Sequence, residues 1–299
     1  MANGISFGVM TQYLQRPEGR IAYDLAGPAD GPLVVLVPGM GDLRGTWRDV
    51  AGPLAAAGHR VAAIDLRGHG DSDTTFTEHG DVVTGQDVLA VVDELGGPAV
   101  LVGNSMGAGS VAWAAAERPS AVAGLVLTGP FLRNPPTGAL TVALTKLLYR
   151  ALFARPWGAG AWTGYYRKTL SRGAKAPWFD EHVAAVHASM ARPDHLRSFR
   201  RLCVQLTHEP VEKRLGKVQA PTLAFLGERD PDFADPAAEG AWIRKRLGAE
   251  VVLLPDVAHY PQHQAGPVVA DRTLAFLAAL PRDARGFAAP ARPGPAAGA

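Results

Sequence analysis

Ser105 stands in Gly103-Asn104-Ser105-Met106-Gly107. A serine with glycine two residues away on each side is a candidate nucleophile. With 34 glycines in 299 residues, composition alone gives a serine this setting roughly once in eighty. The pentapeptide is therefore suggestive and its surroundings decide. The apolar run Ala99-Val100-Leu101-Val102 precedes it and the small-residue stretch 108–117 follows. This predicts a strand reversing into a helix at Ser105, a nucleophile elbow that strains the backbone and tolerates no bulk at 103 or 107. The hydroxyl would stand exposed at the end of a strand, and the Met106 N–H, at a helix start, would be free to stabilise an anion. A helix-capping serine would explain Ser105 but not both glycines.

A serine hydroxyl is a weak nucleophile until a base takes its proton, so the chemistry also needs a histidine and an acid that orients it. Of nine histidines, His259 follows the last strand-like run and lies in the turn-like segment Ala258-His259-Tyr260-Pro261-Gln262-His263, with His263 as the local rival. His182, His187, His195 and His208 fall in helical stretches and are expected on the surface. For the acid, the run Thr222–Gly227 ends on Glu228, Arg229 and Asp230, with Asp232 two further on, and Asp230 is the first choice. The one cysteine, Cys203, excludes an internal disulfide framework and is expected to be a buried small apolar residue.

The elements that must hold these residues are visible as a rhythm. Strand-like runs at 33–39, 61–68, 99–105 and 124–130 alternate with glycines and helical patterns, which predicts βαβ units and a parallel sheet covered on both faces. Helices are predicted over 46–58 and 84–97, the second with Thr84 as N-cap and Gly96 at its end. Residues 11–27 alternate around Pro17, Glu18 and Gly19, which predicts an antiparallel hairpin at a sheet edge. From 134 to 215 no strand-like run occurs and apolar residues recur at helical spacing, so this stretch is read as a helical insertion. Strand character returns at 221–230 and 251–259. The expected organisation is core 1–133, helical cap 134–215, core 216–281 and a tail 282–299, whose Ala, Pro, Gly and Arg have little to bury.

Five segments in order now carry a resemblance: Pro38-Gly39-Met40-Gly41, then Asp65-Leu66-Arg67-Gly68-His69-Gly70-Asp71-Ser72, the elbow at Ser105, Gly227-Glu228-Arg229-Asp230, and Ala258-His259. Over residues 12–280 the chain resembles the α/β-hydrolase-fold serine hydrolases that carry a cap. The resemblance implies an α/β fold with a mostly parallel eight-stranded sheet flanked by helices. It implies Ser105 as nucleophile, His259 as base, Asp230 as acid, and the N–H groups of Met40 and Met106 as oxyanion hole. The family's usual histidine before the first oxyanion glycine is Pro38 here, so altered loop support is expected. Ala258 replaces the glycine that commonly precedes the catalytic histidine. His69 is expected to shape the loop beside the pocket.

The implied reaction is acyl transfer, with no metal or organic cofactor. A serine at the elbow argues against dehalogenation and epoxide hydrolysis, which proceed through an ester on a carboxylate. Leu147, Leu148, Tyr149, Phe153, Trp157, Trp162 and Trp178 suggest an apolar pocket, with Phe131, Trp157 and Tyr260 as lining, and hence an ester with a hydrophobic acyl or alkyl part. The alternatives are a carbon–carbon hydrolase of dienoic keto acids, a cofactor-free perhydrolase or haloperoxidase, and a ligand-binding or signalling protein on this scaffold. Against the first, Tyr260 follows the histidine where that group commonly has tryptophan.

The chain is 47% hydrophobic, which excludes a fibrous or disordered protein. No secretory signal and no run of 18 apolar residues is evident, so a cytoplasmic protein is expected, with a small-molecule ester as partner and no nucleic acid. The net charge of +2 conceals an asymmetry. Residues 131–220 hold 15 Lys+Arg against 5 Asp+Glu, or +10, leaving −8 elsewhere. Such a basic segment either associates weakly with an anionic membrane surface or is a solvated helix face.

Overall fold

The computed structural model describes residues 11–281. The tail assigned to 282–299 lies outside them.

Eight strands form one sheet: β1 (Thr11–Arg16), β2 (Gly19–Ala26), β3 (Leu33–Val37), β4 (Arg60–Ile64), β5 (Ala99–Asn104), β6 (Val122–Thr128), β7 (Thr222–Gly227) and β8 (Glu250–Leu254). Their order is β1-β2-β4-β3-β5-β6-β7-β8. The hairpin β1–β2 forms as its alternation requires, with Arg16 opposite Gly19, and β2 joins β4 antiparallel. All later pairings are parallel. Every residue of β3, β5, β6 and β7 is buried, because helices cover both faces and leave these strands no polar side.

One face packs against α2 (Asp81–Leu95), α3 (Met106–Glu117) and α9 (Pro236–Leu247), through residues such as Val88, Val111 and Ile243. The other packs against α1 (Arg48–Ala56) and α11 (Gly266–Ala279), through Val50, Leu54, Val269 and Leu277. Two local readings shift. Gly80, not Thr84, is the N-cap of α2, and Thr84 lies inside its first turn, where its N–H donates to Gly80 O. Gly96 does end α2 in the left-handed conformation (φ 82°). The strand expected at 251–259 stops at Leu254, where Pro255 has no N–H to continue a ladder.

Between β6 and β7 the chain is helical: α4 (Ala139–Leu152), α5 (Gly158–Tyr165) with a π-helical turn Tyr166–Leu170, α6 (Phe179–Ala191), α7 (Pro193–Gln205) and α8 (Glu209–Glu212). Phe153, Trp162, Tyr166, Phe179 and Phe199 give this segment its own apolar cluster, which Tyr260 joins from the sheet side. α10 (Pro261–Gln264) lies between β8 and α11. Among the described residues no helix is long and apolar enough to cross a membrane.

Candidate active site

The elbow forms at the carboxyl end of β5. Ser105 has φ 55° and ψ −122°, left-handed backbone that a residue with a Cβ adopts only under constraint. The constraint is a set of backbone bonds: Ser105 N–H donates to Thr128 O (3.0 Å), and Ser105 O accepts from the N–H groups of Ala108, Gly109 and Phe131 (3.0, 3.3 and 3.3 Å). A Cβ at 107 would collide with the Pro38 carbonyl, and one at 39 would come within 2.9 Å of Ser105 Cβ. Glycine at these positions therefore lets the loop after β3 lie directly on the elbow. Met106 opens α3, so its N–H has no intrahelical acceptor.

The loop after β3 is a turn in which Asp42 N–H donates to Gly39 O (3.2 Å), with Gly41 at φ 74°. Positive φ at the third residue of such a turn calls for glycine. Both polar groups of Gly41 are held by distant side chains. Its N–H donates to His69 Nε2 (3.2 Å), and its carbonyl accepts from Trp162 Nε1 in α5 (2.8 Å). His69 uses Nδ1 on Arg67 O (3.0 Å), and burial lowers its pKa to about 4, so it stays neutral and Nε2 stays an acceptor. His69 thus supports the loop, the task that Pro38 leaves open.

His259 reaches the elbow from the loop after β8. Asn104 Nδ2, one residue before Ser105, donates to Thr128 O (3.0 Å) and to His259 O (3.2 Å). Gln264 Oε1 accepts from the N–H groups on both sides of the histidine, Ala258 (3.0 Å) and Tyr260 (3.2 Å). Its Nε2 donates to Arg172 O and Ala174 O (both 2.9 Å). Neither Asn104 nor Gln264 is marked by the sequence as a site residue, because their partners are backbone atoms far along the chain.

His259 Nδ1 bonds Asp230 Oδ2 at 2.9 Å, and Asp232 Oδ2 lies 3.4 Å away. Asp230 is buried, and its Oδ1 accepts from Asp232 N–H (3.0 Å). Asp230 is therefore the acid that best orients the ring, with Asp232 a second, partly exposed charge. Burial alone would lower the His259 pKa; the carboxylates of Asp230 and Asp232 reverse this and raise it to about 9. Burial and the neighbouring Asp230 charge push Asp232 upward. His259 Nε2 bonds no group among the described residues, the Ser105 hydroxyl included. Such bonds commonly tighten only with substrate in place. Asp230, Asp232 and His259 also form the one His/Asp cluster among the described residues whose ligand atoms, within 4.8 Å of each other, could converge on a cation. The Asp230 bonds to Asp232 N–H and to His259 already account for its two oxygens.

Around this corner Phe131 lies against the His259 ring (centroids 5.7 Å apart) and Phe233 against Phe131 (5.4 Å). Tyr260 is buried on Tyr166 (4.5 Å). Trp157 is elsewhere: 57% exposed, with its indole N–H on Ala151 O of α4, it does not line this corner. Leu147 and Leu148 also face outward. Their spacing is helical, but the inner side of α4 is taken by Tyr149 and Phe153.

The expected surface histidines divide. His187 is exposed and His195 half-buried, but His182 and His208 are buried with carboxylates, His182 Nε2 at 2.6 Å from Asp42 and His208 Nδ1 at 2.7 Å from Asp81. Tyr166 OH donates to the other oxygen of Asp42 (3.1 Å) and lies 3.3 Å from His263 Nε2. Burial lowers the His263 pKa to about 3, so the rival histidine is a neutral member of this network. Cys203 is buried beside Met40, and burial pushes its thiol pKa up.

Residues 34–272 match the alpha/beta hydrolase family. The chain belongs to that family. It is 30% identical over 268 residues to the 2-hydroxy-6-oxo-6-phenylhexa-2,4-dienoate hydrolase of Burkholderia cepacia, covering 83% of this chain and 88% of the relative. It is also 30% identical over 280 residues to a haloalkane dehalogenase of Mycobacterium marinum, covering 87% and 89%. The structure of a thermophilic esterase from Thermogutta terrifontis superposes with a TM-score of 0.70 at 21% identity, over 90% of this chain and 98% of the other, which shows the shared fold. These relatives run different hydrolytic reactions, so family membership makes this chain a hydrolase and leaves the bond it breaks to its own residues.

Proposed function

We propose that this member of the family is a serine hydrolase of carboxylic esters with a hydrophobic acyl or alkyl part, acting through an acyl-enzyme. The observation that carries the reading is Ser105 in its strained elbow, with the loop of Met40 packed on it and the His259–Asp230 pair beside it. Ser105 Oγ attacks the ester carbonyl as His259 Nε2 takes its proton. The carbonyl oxygen becomes an oxyanion facing the N–H groups of Met40 and Met106, each worth about 3 kcal/mol in the barrier. The C–O bond to the alcohol breaks as His259 returns the proton to that oxygen. Water then attacks the acyl-enzyme, giving its proton to His259, and Ser105 leaves reprotonated with the free acid as product.

Two features favour a neutral ester over a dienoic keto acid. Phe131, Phe233 and Tyr260 make the surroundings apolar, and the paired carboxylates Asp230 and Asp232 repel an anionic substrate. The helical segment between β6 and β7 serves in this reading as the cap over the site. A fluorophosphonate is expected to label Ser105, and Ser105→Ala is expected to abolish both labelling and turnover of p-nitrophenyl and glycerol esters. Labelling that persists in the alanine variant would sink the assignment, and labelling without turnover of any ester on the panel would favour the carbon–carbon hydrolase instead.

A further inference from the structure

α4 is built the wrong way round for a helix on a protein core. None of its residues is buried. Leu140, Leu144, Leu147 and Leu148 lie on one helical face, at spacings of four, three and one, and each is 57–74% exposed. The opposite side carries Tyr149 and, at the helix end, Phe153, which pack inward. A surface helix ordinarily turns its apolar stripe to the core and its polar side to water. Here a row of leucines faces out, and Trp157, 57% exposed with its indole N–H on Ala151 O of α4, lies next to the same helix. Contiguous exposed apolar surface of this kind marks an interaction site.

The charge around the stripe selects the partner. Residues 131–179 contain eight Lys+Arg and no Asp or Glu. Lys146, Arg150, Arg155 and Arg200 form no ion pair among the described residues. A groove of about 420 Å³ beside α4 is lined by Arg150, Arg200, Arg201, Val204 and Gln205. A second copy of this chain fits poorly, since a two-fold contact sets the same patch against itself and opposes two unpaired basic rims. A helix with outward leucines, flanking basic groups and an exposed tryptophan has the make-up of one lying in the plane of a lipid interface.

We propose that α4 and the basic rim beside it form a docking surface for an anionic phospholipid bilayer, with the leucines entering the headgroup layer and the arginines meeting lipid phosphates. The surface lies on the segment that enters after β6, at the same end of the parallel strands as Ser105. The proposal does not depend on the reaction, and Ser105→Ala is expected to dock as the unaltered chain does.

The test is co-sedimentation of the full chain with phosphatidylcholine vesicles with and without phosphatidylglycerol, at low and high salt. Binding is expected only with phosphatidylglycerol, falling on the order of tenfold between low and high salt. Replacing Leu144 and Leu147 by Asp is expected to weaken it on the order of 100-fold. Lys146→Glu with Arg150→Glu removes the charge instead and is expected to remove the salt dependence along with most of the binding. Both double variants change exposed or half-exposed positions and should keep the thermal midpoint and the turnover of a short soluble ester. Equal binding to both vesicle types, binding untouched by the leucine replacements, or no vesicle binding each overturns the proposal. So does a dimer, seen by sedimentation velocity, that the leucine variant abolishes while vesicles bind neither form.

Discussion

Of the three carboxylate–histidine pairs buried among the described residues, two have nearly the same local chemistry. Asp230–His259 spans 2.9 Å at the carboxyl end of β7 and β8; Asp42–His182 spans 2.6 Å between the loop after β3 and α6. All four side chains are almost fully excluded from solvent. The shorter pair is not the one that the proposed reaction uses. Its carboxylate is surrounded by His182, Tyr166 and Leu43 N–H, all of which bond it. Burial works to raise the Asp42 pKa, and His182 holds it below the usual carboxylate range. Around His259 a second carboxylate, Asp232, stays partly exposed, and Nε2 bonds no group among the described residues. The two pairs therefore differ in how fully the carboxylate is enclosed: Asp42 is bonded from three sides, whereas a second carboxylate stands beside Asp230. The enclosed pair, whose Asp42 lies two residues from Met40, ties the loop after β3 to the helical segment.

The largest effect is expected at Asp230. Asp230→Asn should leave the fold intact and lower kcat by about 10⁴, as loss of the correct tautomer does in other triads. Steady-state kinetics on a p-nitrophenyl ester decide it, and a loss no greater than that of Asp232→Asn would show that the wrong carboxylate has been chosen.

Asp42→Asn is expected to act on stability first. Asn keeps one acceptor oxygen for His182 and Leu43 N–H but takes the buried acceptor from Tyr166 OH, a cost of about 1–3 kcal/mol that a urea titration reads as a lower midpoint. Because the Asp42 side chain fastens Leu43 N–H, Tyr166 and His182 around the loop that carries Met40, kcat should fall by about tenfold with KM little changed. A stability loss with unaltered kcat would reduce this pair to a structural brace.

The smallest effect is expected at Asp232, where kcat should change by less than about threefold. The readout there is pH. His259 must be unprotonated to accept the Ser105 proton, so kcat/KM rises as pH rises through the His259 pKa. The Asp232 carboxylate helps lift that pKa to about 9. Asp232→Asn should therefore move the acid limb of the profile to lower pH. A limb that stays in place would show that Asp232 is protonated in the working enzyme.

Much of this was legible in the chain. Alternation around Pro17–Gly19 specified the edge hairpin, and apolar runs between glycines specified the buried parallel strands, because strand and turn preferences are local. The elbow was legible for the same reason: Gly103 and Gly107 answer to atoms a few residues away, or to a strand beside them. His182 and His208 were misplaced because each is polar within a helical stretch. Only the approach of Asp42 and Asp81, 140 and 127 residues distant, makes burial tolerable.

α4 divides the two kinds of knowledge most cleanly. The sequence determined that residues 139–152 form a helix with an apolar stripe, since periodicity is a property of the segment. It could not determine which way the stripe faces. That was decided in the tertiary structure, where Tyr149 and Phe153 fill the inner side against Trp162 and Phe199 and turn the leucines outward. In the same way the residue types Ser, Asp and His are fixed by sequence. Which aspartate faces which histidine depends on how strands far apart in the chain lie side by side in the sheet, because a hydrogen bond acts over about 3 Å of space whatever the separation along the chain.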